Sequence, residues 1–127
     1  MKRIIAIVSC AALLMSFTGL STNISEIVNA LKENDPAQVS KYFDSVVDIK
    51  LPGKEEVKNV SKNQATLILK NFYAEQDVKG FSLTSKREMG GTGYLTGKLQ
   101  SAPKGYNITL MLKTKGDDAS IVTVRIN

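Results

Sequence analysis

The stretch FSLTSKREMGGTGYLTGKL, residues 81–99, decides what kind of sheet this chain builds. Its first nine residues are typical of a strand, GGT is typical of a tight turn, and the rest alternates between two faces. Leu95, Gly97 and Leu99 share one of those faces. A glycine inside a strand predicts a bend, or the close passage of a helix over the sheet. The stretch therefore predicts a β-hairpin.

The glycines around Lys98 also suggest a phosphate-binding loop. A loop of the type G-x-x-x-x-G-K-[ST] needs glycine where Thr92 stands and Ser or Thr where Leu99 stands. A dinucleotide fingerprint that starts at Gly91 fails at Thr96, its third glycine position. Both motifs must also lead into a helix, whose N-terminus binds the anion, whereas this stretch leads into a strand. We therefore expect a hairpin and no nucleotide site.

The strand pattern continues to the end of the chain. Four segments with strand character follow one another, separated by turn-rich connections: residues 81–89, 93–101, 106–114 and 120–126. Short connections between successive strands predict an antiparallel meander. Two earlier segments, residues 45–51 and 57–60, predict a further strand and a short hairpin partner.

Three helices are predicted before the meander. The first has an apolar stripe with helical spacing: Ile24, Ile27, Val28 and Leu31. The second begins at Asp35, a good N-cap, followed by Pro36 at the first helical position. Ser61 with Gln64 forms a capping box for the third. The apolar stripe of this third helix is Ala65, Ile68, Leu69 and Phe72, widened by Leu67 and Tyr73.

The first 21 residues, MKRIIAIVSCAALLMSFTGLS, are typical of a secretory signal peptide. Lys2 and Arg3 precede a short apolar stretch, and small residues follow it. IVSC at residues 7–10 is similar to a lipobox, but the apolar run continues past Cys10, so we interpret this cysteine as part of the discarded peptide. The sequence thus predicts a signal peptide over residues 1–21, a single domain over residues 22–127, and export to the periplasm or outside a bacterial cell. An uncleaved membrane anchor is the alternative for the first segment.

Composition excludes several chemistries from the mature chain. The sequence contains no histidine and no tryptophan, and its one cysteine is in the predicted signal peptide. We therefore expect no thiol catalysis, no metal site, no cofactor and no disulfide. Without Lys2 and Arg3 the net charge is +3, and the basic residues are spread along the chain. This pattern predicts a soluble surface and no binding of nucleic acid.

Asp48 is the carboxylate with the most interesting position. It lies within the first strand, on the face opposite Val47 and Ile49. There it either lines a pocket, with Tyr42 or Tyr73 as a hydrogen-bond partner, or is an ordinary solvated residue of a strand. Asp48, Tyr42 and Tyr73 are accordingly the candidate catalytic residues of this sequence.

The order of elements resembles the nuclear transport factor 2-like superfamily, a cystatin-like cone, and KYFDSVVDIKL at residues 41–51 carries the resemblance best. Residues 80–99, with YNITLMLK and the terminal VRI, are also similar to a family of small exported bacterial domains of unknown function. The resemblance implies an α+β fold. Its N-terminal helices pack on a strongly bent, mainly antiparallel sheet that ends in a four-strand meander.

The resemblance also implies a pocket at the open end of the cone. Some members of the superfamily are lyases or isomerases that use an Asp with a Tyr or His, and others bind ligands or pair through the sheet face. Asp48 is the position that corresponds to a pocket carboxylate, and this chain has no histidine for the second role. We therefore expect a non-catalytic domain that binds a small apolar ligand or a protein partner, a second copy included. A lyase or isomerase that uses Asp48 is the first alternative, and a domain that binds an anionic polymer or a membrane surface is the second.

Overall fold

The computed structural model describes residues 22–101 and 104–127. The described part has helices α1 (Thr22–Lys32), α2 (Pro36–Ser40) and α3 (Lys62–Gln76), and strands β1 (Phe43–Lys50), β2 (Val57–Ser61), β3 (Val78–Met89), β4 (Thr92–Ser101), β5 (Gly105–Lys115) and β6 (Asp118–Ile126). The predicted signal peptide, residues 1–21, lies outside it. None of these helices is long and apolar enough to cross a membrane.

Local capping defines where the helices begin and end. The Asp35 carboxylate accepts a hydrogen bond of 3.0 Å from the Ala37 N–H at the start of α2. The Ser61 hydroxyl accepts one of 3.3 Å from the Gln64 N–H at the start of α3. Both predicted N-caps are therefore confirmed. Asp77 ends α3 in the left-handed conformation, with a φ of 53°.

The six strands form one curved, unclosed sheet in the order β2-β1-β6-β5-β4-β3. The strands β3, β4, β5 and β6 pair in chain order as an antiparallel meander. Strand β1 lies parallel to β6 and antiparallel to β2. This arrangement confirms the predicted α+β fold with a mainly antiparallel sheet and a four-strand meander.

The core lies between the helices and one face of this sheet. Alternate residues of the inner strands are buried, among them Leu99 on β4, Leu110 on β5 and Val124 on β6. Helix α3 contributes Phe72, whose ring meets the ring of Tyr106 edge to face at a centroid distance of 5.3 Å. The predicted apolar stripe of α3 is correct except at Leu67, on its margin. Leu67 is 53% exposed, so the prediction that it widens the buried stripe was wrong.

Gly97 lies at the point where the Phe81 side chain of the neighbouring strand β3 crosses over β4. A Cβ atom at this position would lie 2.5 Å from Phe81 Cε1 and 2.5 Å from the Ser82 carbonyl oxygen. The close neighbour is therefore β3, and not a helix as one of our predictions had it. The pairing of β3 with β4 is irregular between Leu83 and Ser85, directly beside Gly97. A glycine is needed here because the bulge brings the β3 backbone and the Phe81 ring onto this strand.

The glycine-rich connection between β3 and β4 is a tight hairpin turn. Gly90 and Gly91 connect Met89 of β3 to Thr92 of β4. Gly90 has a φ of 57°, as the first central residue of a type II′ turn requires. The Thr114 N–H donates a hydrogen bond of 2.9 Å to the Gly91 carbonyl, so the turn is also joined to the end of β5.

Candidate functional site

A cleft with a volume of about 370 Å³ opens at the end of α3. We call it the end cleft. Three separate segments line it: the loop after β1, the last turns of α3 and the start of β5. Leu51, Phe72 and Tyr106 supply apolar surface, and Lys54 and Lys104 supply positive charge. The end cleft thus has an apolar wall and a polar, charged rim that includes Glu75 as well as the two lysines.

A second cleft of about 220 Å³ adjoins the first, and we call it the side cleft. It shares Leu51 and Lys54 with the end cleft and continues along Ile49, Val57 and Ile68. Its surface is mainly apolar, and Val57 is 53% exposed there. The two clefts together form an apolar trough between α3 and the loop that joins β1 to β2.

Polar contacts hold the inner wall of the end cleft in place. The Tyr106 hydroxyl donates a hydrogen bond of 2.7 Å to Gln76 Oε1. The Lys104 ammonium lies 5.2 Å from the centroid of the Tyr106 ring, within the range of a cation–π interaction. Tyr106 is therefore fixed by Phe72, Gln76 and Lys104 at once, which makes this wall of the cleft preformed.

Asp48 lies outside both clefts. Its Oδ1 accepts a hydrogen bond of 2.9 Å from the N–H of Asn59, on the neighbouring strand β2. Asn59 has a φ of 58°, and the β1–β2 pairing is irregular between Val47 and Ile49. The Asp48 carboxylate therefore stabilises a bulged strand pair, on the sheet face that points away from the core.

Tyr42 belongs to another cleft, of about 190 Å³, between α1 and α2. Its hydroxyl donates a hydrogen bond of 3.2 Å to Glu26 Oε1. Burial raises the pKa of Tyr42, and the hydrogen bond to Glu26 and the negative charges of Glu26 and Glu33 raise it further. These neighbours favour the neutral phenol, so Tyr42 is a hydrogen-bond donor at neutral pH.

Tyr73 is a core residue, 5% exposed, on the buried side of α3. Its hydroxyl oxygen is buried and has no hydrogen-bond partner among the described residues. Burial raises the pKa of Tyr73 to about 12. A buried hydroxyl without a partner costs free energy on folding, so the Tyr73 hydroxyl lowers the stability of the core.

The three candidate catalytic residues therefore occupy three different places. Asp48 faces β2, Tyr42 faces α1, and Tyr73 lies in the core; neither tyrosine hydroxyl forms a described hydrogen bond to Asp48. That they catalyse a reaction stays a prediction. Within residues 22–101 and 104–127, no group of three or more acidic, histidine or cysteine side chains is arranged to hold a metal ion.

Our sequence reasoning missed most of the end cleft. Phe72 was predicted to be buried, but its place in a cleft wall was not, and Lys54, Lys104 and Tyr106 were not singled out. They lie in segments far apart in the chain, and none of them forms a local motif. The one signal was the turn-rich segment PGKEE at residues 52–56, whose first three residues line the end cleft.

Comparison with known proteins gives a family match over nearly the whole described chain. A family model described as a domain of unknown function (DUF4783) matches residues 24–127. No curated protein matches the chain.

Solved structures agree with this match at the level of the fold. A DUF4783 family protein from Bacteroides ovatus is 22% identical, with a TM-score of 0.71 over 80% of this chain and 90% of that one. A second, from Bacteroides uniformis, is 19% identical, with a TM-score of 0.73 over 81% and 94%. An NTF2-like protein of unknown function from Cytophaga hutchinsonii is 12% identical, with a TM-score of 0.58 over 87% and 92%. The resemblance to NTF2-like domains and to a family of small domains of unknown function is confirmed.

Proposed function

The chain belongs to the DUF4783 family of domains of unknown function, and on this premise we propose that it is an exported, non-catalytic domain that binds a small apolar ligand in its end cleft. The observation that carries the proposal is the preformed wall of that cleft. Phe72 and Tyr106 meet edge to face there, and Tyr106 is also held by Gln76 and approached by Lys104. A rigid aromatic wall lowers the ordering cost of binding an apolar molecule.

The size and lining of the cleft favour a small ligand. A volume of about 370 Å³ lies near the lower end of the range for ligand sites. The ligand's apolar part would contact Leu51, Phe72 and Tyr106, and any polar end would meet Lys54, Glu75 or Lys104 at the rim. The adjoining side cleft offers further apolar surface to a longer molecule.

The chemistry available supports the proposal of a non-catalytic role. The sequence has no histidine, so the commonest general base is missing from the whole chain. Asp48, the one carboxylate that we aligned with a pocket acid, is engaged by the Asn59 N–H and lies outside the end cleft. Binding an apolar molecule requires only the apolar wall, which the cleft has.

Export is the second part of the proposal, and it is supported by the pattern of residues 1–21. Protein isolated from the host should begin near Thr22 and carry no lipid. Mass analysis of the N-terminus tests this directly. A mature chain that begins at a diacylated Cys10 would contradict the proposal and make the protein a membrane-anchored lipoprotein.

The cleft itself is tested with tryptophan reporters, because the natural sequence has no tryptophan. Lys54→Trp introduces one at the rim of the end cleft, and the matched control, Lys115→Trp, introduces one in the exposed end of β5. Brominated dodecanoate, which quenches tryptophan on contact, should quench Lys54→Trp with a saturable dependence and leave Lys115→Trp unchanged. Equal quenching of both variants, or of neither, would contradict binding in the end cleft.

A native mass spectrum of the protein from the envelope of its own host complements this experiment. The spectrum should contain a species heavier than the chain by the mass of one small molecule. That species should lose the extra mass under mild activation, and its identity would name the ligand.

A further inference from the structure

The outer edge of β3 is open over part of its length only. Near the start of the strand, the Asn34 side chain donates a hydrogen bond of 2.9 Å to the Lys79 carbonyl, so the turn after α1 covers the edge there. From Ser82 to Met89 every residue is exposed. Because β3 is the last strand of the sheet, this part presents backbone groups to solvent that no strand of the described residues pairs with.

The segment Ser85–Met89, which we call the edge segment, is regular. It lies between the bulge near Leu83 and the hairpin turn, and it pairs residue by residue with Thr92–Thr96 of β4. A regular stretch of five residues is long enough to pair with another strand, and the bulge and the turn define its two ends.

The hydrogen-bond pattern tells which backbone groups of the edge segment are free. The Thr114 N–H binds the Gly91 carbonyl, so the backbone groups of Thr92 point toward β3 and not toward β5. Met89, opposite Thr92, therefore turns its own backbone groups to β4. By alternation, the backbone groups of Lys86 and Glu88 point outward, to the open edge.

The side chains of these same two residues carry opposite charges on one face. Lys86 pairs with Leu95, and Glu88 pairs with Gly93, both of which are buried on the helix side of the sheet. Arg87 pairs with Tyr94 on the other face. Within the described residues neither Lys86 nor Glu88 forms an ion pair. Two exposed, unpaired charges thus flank the centre of the edge segment.

We propose that the edge segment pairs antiparallel with the same segment of a second copy of this chain, around a two-fold axis at Arg87. In this register Lys86 lies opposite Glu88 of the second copy, and Glu88 lies opposite its Lys86. The outward backbone groups of both residues then form the ladder. Two opposite-charge cross-strand pairs are gained on the same face.

Charge excludes the neighbouring registers. A change of the pairing register by two residues keeps each side chain on the same face of the sheet. It moves the two-fold axis by one residue, to Lys86 or to Glu88. The first shift places two lysines opposite each other and the second places two glutamates opposite each other, which is unfavourable. The charges of Lys86 and Glu88 also make pairing with an apolar strand unfavourable. The edge segment therefore favours a second copy of itself over an unrelated apolar peptide. The favoured register also places the two Arg87 side chains opposite each other on the outer, solvent-exposed face, a single like-charge pair against the two opposite-charge pairs of Lys86 with Glu88.

The dimer is expected to be weak, because a ladder of five residues buries far less surface than a stable interface. Sedimentation equilibrium of the mature protein should therefore show an average mass that rises with concentration. Lys86→Glu and Glu88→Lys should each weaken the association at least tenfold, since each places like charges opposite each other. The double variant with both changes should restore it, and Lys115→Glu, which makes the same charge change elsewhere, should leave it unaffected.

Hydrogen exchange locates the interface independently. The amides of Arg87 and Met89, which face β4, should be protected at every concentration. The amides of Lys86 and Glu88 should be protected only at concentrations where the dimer forms. A monomer at all concentrations, a dimer that both single variants leave unchanged, or a double variant that fails to restore association would each overturn the proposal. None of these outcomes bears on ligand binding in the end cleft.

Discussion

Strands β3 and β5 have nearly the same length and lie two places apart in one sheet, yet their environments are opposite. In β5 alternate residues from Tyr106 to Leu112 are buried, whereas no residue of β3 is buried. Helices cover the part of the sheet to which β5 belongs, and β3 extends past them as the edge. We call these the covered region and the open edge. The comparison teaches that β3 touches the core only near its start, at Val78 and Phe81, and beyond Phe81 is held mainly by strand pairing, whereas β5 is held by pairing and by the core along most of its length.

The covered region should respond most strongly to a cavity. Phe72→Ala removes a ring that is 5% exposed and packs against Tyr106. The expected cost is about 3–5 kcal/mol in the free energy of unfolding, from lost transfer energy and the cavity left behind. Denaturant melts measure it. Leu67→Ala on the same helix is the matched control and should cost much less, because Leu67 is 53% exposed. Equal costs at the two positions would contradict the packing of α3 on the sheet.

The boundary between the two regions should be the next most sensitive place. Gly97→Ala puts a Cβ atom 2.5 Å from both Phe81 Cε1 and the Ser82 carbonyl oxygen, and the latter is backbone. Relieving this overlap should cost about 1–3 kcal/mol of unfolding free energy. Gly93→Ala is the control on the same face of β4, where the nearest atoms lie at 3.5 Å. Urea melts that rank Gly93→Ala as the more harmful change would refute the close approach at Gly97.

Tyr73 should make the covered region sensitive to high pH. Its pKa is about 12 in the fold and about 10 in an unfolded chain, so the unfolded state loses the phenolic proton first. The free energy of unfolding is therefore unaffected by this group below about pH 10, and it falls as the pH rises above that value. Between about pH 9 and pH 11, wild type should lose about 1–2 kcal/mol more than Tyr73→Phe.

The same variant has a consequence at neutral pH. Tyr73→Phe removes a buried hydroxyl that has no partner among the described residues. It should therefore be neutral or stabilising by up to about 1 kcal/mol. A strong loss of stability at pH 7 would mean that this hydroxyl makes a hydrogen bond in solution.

The smallest effect is expected on the outer face of the sheet. Asp48→Asn keeps the Oδ1 atom that accepts the Asn59 N–H, and the side chain is only partly buried. The unfolding free energy of this variant should differ from that of wild type by less than about 0.5 kcal/mol. Asp48→Ala, which removes the acceptor, should cost about 1 kcal/mol. A larger and pH-dependent effect of Asp48→Asn would instead support the catalytic alternative.

Much of the fold could be predicted from the sequence, because its determinants are local. Asp35 and Ser61 cap helices in the structure as their residue types predict. The meander follows from alternating segments joined by short turns, and Gly90 supplies the positive φ of the first turn. These features depend on residues only a few positions apart in the chain.

The candidate site could not be predicted in the same way. The loop around Lys54, the end of α3 at Phe72 and the start of β5 at Tyr106 form one cleft only after the sheet has curved around the helices. The sequence left open whether Asp48 lines a pocket or is an ordinary strand residue, and in the structure it lies outside both clefts and accepts a hydrogen bond from β2. Both outcomes depend on distant segments, and periodicity carries no information about which segments meet.

The sequence by itself therefore determined the elements, their order and their buried faces, since spacing and capping act within a few residues of each other. Only the tertiary structure decided which strand would be the edge, where helices leave the sheet uncovered, and why Gly97 must be glycine. The physical reason is that burial of a strand depends on what packs over it. The sequence pattern of a strand such as β3 is the same whether helices or solvent cover the strand.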